Sequence, residues 1–502
     1  MRSSRPVESF APPLLDPDTL RRLSRDILDA ATRAGASFAD VRVSDKRFYS
    51  PARVGFPGWL EFRTGYGLRV RVDGRDAFVA SADVTPEGIV RTATAAVAIG
   101  RQLANVAGPS APLARVPVVT GEWNAAVDID PFTVSPDEHV FVMSGYTTRR
   151  RHRGVMTSVA FQWESETRVM ASTEGTSTTQ RWTRFLPFAI IDYAHWRTRG
   201  HMLSLRVAPF QPGTAGYETV LGPERHEQLE AVVDEFNTLI SYPIAVAEVG
   251  RKDVVLDGRA HAALLGATMV PALSAARILG EEQNSGGTSF LGSIDRAIGQ
   301  QVGANGLEMW VDHGNTLYGA MHWDDEGVAA AAVPLIRDGR VVNVLATRTN
   351  ASAVSQTTPP PLGTAFSPDV MTMPAARPGA FVVRPSASGG SLATLRESLK
   401  NGYIVRNAWV GADQQGASGS LYPQLMFEVQ KGAIVRRVVD VRLEFSTVKL
   451  LRSASAFGGA SSMDWDTVSM SGGLPWSETS HFVAAPAVYL RDANIASNSL
   501  HV

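Results

Sequence analysis

Between residues 16 and 34 the apolar positions Leu20, Leu23, Ile27, Leu28 and Ala31 recur every three to four residues, the spacing of an amphipathic helix. Asp16 or Asp18 can cap it and Gly35 supplies a stop. The period then shortens to two in SFADVRVSD, and GYGLRVRVDGRDAFVAS predicts a hairpin turning at Asp73-Gly74. Helical spacing returns in TPEGIVRTATAAVAIGRQLA, where Thr85 is placed to cap and Pro86 to occupy the first turn. A helix, strands and a helix in that order predict an α+β fold, with both helices covering one face of an antiparallel sheet.

Further along, VAFQWESETRVMASTEGTSTTQRWTRFLPFAIIDYA predicts a meander turning at Glu174-Gly175, and GPERHEQLEAVVDEFNTLISYP an amphipathic helix ending near Tyr242, before Pro243. RKDVVLDGRAHAALLGATMVPALSAARILG opens on a short β-branched run and becomes helical. Beyond it the pattern is β-rich, with strand pairs across Asp338-Gly339 and Lys431-Gly432 and a long Pro-rich loop, TTPPPLGTAFSPDVMTMPAARPGA, between them. Loops of that length are usually functional or mobile. The expected organisation is a flexible or partner-wrapping arm over 1–15, an N-terminal α+β domain over 16–245 with an irregular segment at about 105–135, and a β-rich C-terminal domain over 246–502.

Composition narrows the function. A chain of 502 residues with 44% hydrophobic content builds substantial cores. A formal charge of -1 leaves no electrostatic footprint for nucleic acid. No cysteine is present, which excludes disulfides, thiolate metal sites and a cysteine nucleophile. The first twenty residues lack a continuous apolar core and no stretch reaches bilayer-spanning length, so no membrane role and a cytoplasmic location are expected.

Hydrolytic zinc needs protein ligands, an open position for water and a carboxylate base. No two of the ten histidines stand four or five apart. In HEQLE, His226, Glu227 and Glu230 lack a second histidine and fit the solvated face of a helix. In VDHGNTLYGAMHWDDEG, Asp312, His313, His322, Asp324 and Asp325 concentrate possible ligands that adjacent strands could bring together. The Ser/Gly-rich runs 416–420 and 457–462 lack a nucleophile elbow, and Gly286-Gly287 lacks the Lys-Ser/Thr of a phosphate loop.

The segment at 251–280, HWDDEGVAAAAVPLIRDGRVVNVL, the opening AGASFADVRV and GYGLRVRVDGRDAFVASADVTPEGI, and the closing AAPAVYLRDANI together resemble the TldD/PmbA family, once called modulators of DNA gyrase. Active members are zinc peptidases with a His-Glu-x-x-x-His helix. In the register set by Leu264 and Leu265 before the motif and by Ala272, Leu273 and Arg277 to Gly280 after it, the motif positions fall on Gly266, Ala267 and Pro271. None of these residues ligates zinc or acts as a base. Starting the motif at His261 instead puts Ala262 and Gly266 where Glu and His belong. The family's third ligand, a cysteine, falls near Ser471 or Gly472.

The resemblance therefore implies a TldD/PmbA-like fold, no catalytic residues or metal in this chain, and zinc in a TldD-like partner. The expected role is the non-catalytic subunit of a heterodimeric metalloprotease that lines a cleft for extended or unfolded peptides. Expected peptide contacts are Thr288, Ser289, Phe290, Gly416 and Ser418. Two alternatives stand beside this: a peptidase with a relocated metal site around His313, His322 and Asp324, and a stand-alone peptide-binding or scaffolding homodimer.

Overall fold

The computed structural model describes residues 10–52, 57–107, 112–147, 155–194, 202–207, 211–314, 317–354, 362–472 and 477–498. The first sheet is built from β1 (Phe38–Ser50), β2 (Trp59–Val72), β3 (Arg75–Ser81), β4 (Thr120–Asn124), β5 (Val155–Ser172) and β6 (Ser177–Ala194), in the order β3-β2-β1-β5-β6-β4; β7 (Met202–Val207) and β8 (Gly213–Thr214) also pair with β6. Asp73 and Gly74, the β2–β3 turn, both take the left-handed conformation such a tight hairpin needs. The segment at 105–135 departs from its irregular expectation, because Thr120–Asn124 lies parallel to β6 as an edge strand.

Helices α1 (Pro17–Ala34) and α2 (Pro86–Ala107) cover one face of this sheet. Leu20, Ile27 and Ala31 from α1 and Ile89, Ala93, Ala96 and Val97 from α2 form a core with Val41, Val43, Leu68, Val70 and Val169. The Thr85 hydroxyl caps α2 by accepting from Gly88 N at 3.1 Å. Strand residues alternate between faces, so the opposite face carries Asp40, Arg42, Ser44, Arg69, Glu166 and Arg168. These too are buried. Of the arm expected over 1–15, residues 1–9 lie outside the described residues; Phe10 packs on Tyr49 and Phe132, and Leu15 N donates to Asp45 at 2.7 Å. Two further helices, α3 (Pro136–Thr147) and α4 (Pro223–Ile240), belong to a second core around Trp163, Phe161 and Phe236.

In the C-terminal half, Gly250–Leu256, Val488–Ser497, Val441–Ser446, Ser418–Gln430 and Asn401–Ala412 pair in succession, and the last pairs again with the first. The ladder closes on itself, which removes the edges from these five strands. A second sheet runs Arg340–Val341, Val333–Arg337, Met309–Val311, Ala380–Val383, Ser477–Ala485, Asp464–Gly472. Helix α5 (Gly258–Ala272) packs between them, against Asn401–Ala412 on one side and Asp464–Gly472 and Ser477–Ala485 on the other. The two halves of the chain meet where the Pro-rich loop crosses the first sheet. A side chain at Gly67 of β2 would sit 2.0 Å from Val370 O, so only glycine permits that approach.

Candidate functional site

Helix α5 begins at a firm anchor. The Asp257 carboxylate accepts from Ala260 N at 2.8 Å as N-cap, and from Asn407 N at 3.0 Å and Arg406 Nε at 3.2 Å across the closed ladder. Every α5 residue is buried except Ala267, which is half-buried. A helix buried on all sides belongs to a core, and the polar side chains of this one are paired within it, Arg259 with Asp464, His261 with Pro486 O and Thr268 with Leu264 O. It shares one hydrophobic core with Leu256, Met309, Val405, Met470 and Val483.

The three motif positions sit inside this packing. A β-carbon on Gly266 would lie 2.4 Å from Val468 Cγ2 and 2.9 Å from Val468 Cβ, and valine has no flexible end to move away. An imidazole does not fit there. Pro271, in the last turn, has no N–H to continue the helix ladder. The residues present therefore do not fit the metal implied by the resemblance. His261 also lies in α5, with Nδ1 2.8 Å from Pro486 O, and burial pushes its pKa down to about 4, so it is a neutral core histidine. Of the two positions where the third ligand falls, the Ser471 side chain lies outside the described residues. Gly472 is buried beside Glu282 and Arg377.

Two segments expected to touch peptide meet at the end of α5. Ser289 Oγ donates to Ala272 O at 2.7 Å, Phe290 N donates to Gln415 O at 3.2 Å, and Thr447 Oγ1 donates to Gly416 O at 2.5 Å. A β-carbon on Gly416 would lie 2.7 Å from Thr268 O. These groups hold a junction between loops. Ser418 instead lines a cavity of about 540 Å³ together with Arg251, Glu444, Lys449, Arg491 and Asn494. Thr288 lies between these contacts and is half-buried.

The relocated site is not assembled. His313 Nδ1 lies 3.4 Å from Gly319 O in a buried pocket that lowers its pKa, while the His322 ring stacks on Trp323 at 4.8 Å and meets the edge of Trp123. Asp324 accepts from Glu326 N and Val328 N, each at 2.9 Å, and from Ala365 N at 3.1 Å. Burial, then the Glu326 carboxylate, push its pKa up to about 8 despite those donors. Among the described residues no group of three or more His, Cys, Asp or Glu is arranged to hold a metal ion. His226 stacks on Tyr146 with centroids 4.0 Å apart and planes 9° apart.

What the sequence did not reveal is the role of the acidic run. Asp325 accepts twice from Arg168 Nη1 at 2.8 Å and from Ser367 N at 2.6 Å; Glu326 accepts from Arg69 Nη1 and from Arg348 N, both at 2.7 Å. Arg69 is also tied to Asp40, and Arg168 Nε donates to Glu166 at 2.7 Å. Burial opposes the charge of Arg168, but Asp325 and then Glu166 outweigh it and raise its pKa. These acids clamp the C-terminal half onto the arginine-bearing face of the first sheet. The available signal was Arg42, Arg69 and Arg168 at inward strand positions.

With the geometry in view, comparisons with known proteins identify the fold and the family. Residues 249–497 match the family described as PmbA/TldA metallopeptidase C-terminal domain. No curated protein matches the chain in sequence. Among solved structures, a protein described as a candidate modulator of DNA gyrase from Bacteroides thetaiotaomicron superposes with a TM-score of 0.73 at 14% identity, covering 96% of this chain and 100% of that one. A similarly described protein from Thermotoga maritima gives 0.72 at 16% identity, covering 95% and 100%, and TldE from Thermococcus kodakarensis gives 0.69 at 14%, also covering 95% and 100%. The architecture expected from the sequence, helices on an antiparallel sheet followed by a β-rich C-terminal domain, is the one these structures share. No helix among the described residues is long and apolar enough to cross a membrane. By the match over residues 249–497, the C-terminal half of this chain belongs to the PmbA/TldD metallopeptidase family, and nearly the whole chain shares the fold of these structures.

Proposed function

We propose that this protein is the non-catalytic subunit of a two-chain PmbA/TldD-type metallopeptidase, which contributes to a cleft for extended or unfolded peptides while a TldD-like partner carries the zinc and the general base. The observation that carries the reading is the state of α5: the positions the resemblance assigns to the motif are Gly266, Ala267 and Pro271, and the space a ligand at Gly266 would need is filled by Val468. Hydrolytic zinc requires three protein ligands and an open position.

Extended peptides bind through backbone hydrogen bonds and need no catalytic side chain from this subunit. Ser418, on the wall of the 540 Å³ cavity, is the expected peptide contact with open space in front of it. Thr288, Ser289, Phe290 and Gly416 would act by holding the wall behind it. A chain without cysteine fits a reducing compartment, and a cytoplasmic location belongs to the same reading.

The test is co-expression with a TldD-like relative that retains His-Glu-x-x-x-His. Zinc-dependent hydrolysis of an unfolded peptide is expected from the pair and not from this chain alone. Failure of the two chains to associate, with this chain forming a peptide-binding homodimer instead, would overturn the proposal.

A further inference from the structure

Helix α5 and the strand Asp464–Gly472 run side by side in one direction. A β-carbon on Gly258 would lie 2.6 Å from Asp464 N, and one on Gly266 would lie 2.4 Å from Val468. Eight helical residues rise about 12 Å and four strand residues about 13 Å, so the two stay in step. Four residues further, Gly472 reaches the turn after α5, where Arg277 Nε lies 3.3 Å from Glu282 and Arg377 Nη2 lies 3.0 Å from the same carboxylate. A β-carbon on Gly472 would be 2.5 Å from Arg377 Nη2 and 2.6 Å from Glu282 Oε2. The three charged side chains are nearly inaccessible, at 6%, 5% and 2% exposure for Arg277, Glu282 and Arg377.

We infer that this chain makes without metal the joint that the resemblance would assign to a metal: Val468 packed into Gly266 and the Arg277–Glu282–Arg377 triad closed over Gly472 lock the helix to its C-terminal strand. The site is a rebuilt structural joint, and reintroducing ligands on α5 does not reopen it. In the metal arrangement, ligands from the helix and from the region of Ser471 and Gly472 would converge on one ion. Here the helix end is hydrocarbon against glycine, and the strand end is two guanidinium groups sharing one carboxylate. Arg277 Nη1 also donates to Gln414 O at 3.3 Å, which ties the triad to the loop carrying Gly416. The joint stands whether or not a partner chain exists.

Urea unfolding of the full chain tests it in two cycles. Gly266→Ala lowers the midpoint, Val468→Ala lowers it, and the double variant lowers it less than the sum, because the smaller residue makes room for the new methyl group. At the triad, Arg377→Met or Glu282→Met alone lowers the midpoint. Replacing Arg277, Glu282 and Arg377 together by Met recovers most of the loss, because no unpaired charge is left buried. A zinc chelator leaves the wild-type midpoint unchanged, and G266H/A267E/P271H takes up no zinc in equilibrium dialysis. Strict additivity at Gly266 and Val468, unchanged stability of the single triad variants, a chelator-induced drop, or stoichiometric zinc in the triple variant would each overturn the inference. If the triple variant fails to fold, the two unfolding cycles still decide.

Discussion

Two buried polar regions of this molecule are organised in opposite ways. At the joint between the halves, Asp325 and Glu326 enter the face of the first sheet and meet Arg168 and Arg69. Along α5, where the family's chemistry would sit, the middle of the helix packs in hydrocarbon, and buried charge stands at its two ends: Asp257 with Arg406 and Arg259 with Asp464 at the start, and the Arg277–Glu282–Arg377 triad beyond the finish. The first region spends buried charge on orienting two halves. In the second, packing has taken the place of reactive groups. Buried ions are therefore no guide to catalysis in this chain, because the richest acidic cluster is a structural clamp.

Breaking the clamp should have the largest effect. Asp325→Ala takes the carboxylate from Arg168 Nη1 and the acceptor from Ser367 N, and loss of one partner of a buried pair costs about 3–5 kcal/mol. Urea unfolding of the variant should show the loss, and tryptophan fluorescence should report whether the two halves still unfold together. Along α5 the expected effect is smaller: Gly266→Ala overpacks against Val468, at about 1–3 kcal/mol by the same assay.

The pH dependence separates the regions further. Burial lowers the pKa of His261 and His481 from 6.5 to about 4, and that of His139 likewise. Between about pH 6.5 and 4 the unfolded chain takes up these protons and the native chain does not, so stability falls as pH drops through that window. Each histidine contributes at most about 1.4 kcal/mol per pH unit. His261 and His481 belong to the C-terminal half, and replacing either by Gln should flatten the slope of the unfolding midpoint against pH. The smallest effect is expected far from both regions: Thr85→Ala removes the α2 cap at a cost of about 1 kcal/mol.

What the sequence disclosed follows the range of the interactions involved. α1, α2 and the hairpin at Asp73-Gly74 were legible because local spacing and turn chemistry specify them. Strand β4 was not, since TGEWN gains its conformation by pairing with β6, more than fifty residues away. Arg42, Arg69 and Arg168 stand at alternating positions of their strands, opposite the helix-covered face. That face is buried by a loop about 150 to 280 residues distant, and alternation alone does not distinguish water from a carboxylate-lined partner. For the same reason Asp324 and Asp325 resembled metal ligands until their backbone and arginine partners were visible. The residues that the resemblance places at the motif are named by the sequence, whereas the packing of Val468 against Gly266 is not, because no local pattern links positions two hundred residues apart.

The most direct test of the central claim is zinc stoichiometry by elemental analysis, on this chain purified alone and after titration with zinc, alongside peptide hydrolysis. The account predicts no bound zinc, no chelator-sensitive activity and no change on titration. One tightly bound zinc per chain, removed by chelator together with hydrolysis, would contradict it and return the search for a metal site to residues outside α5.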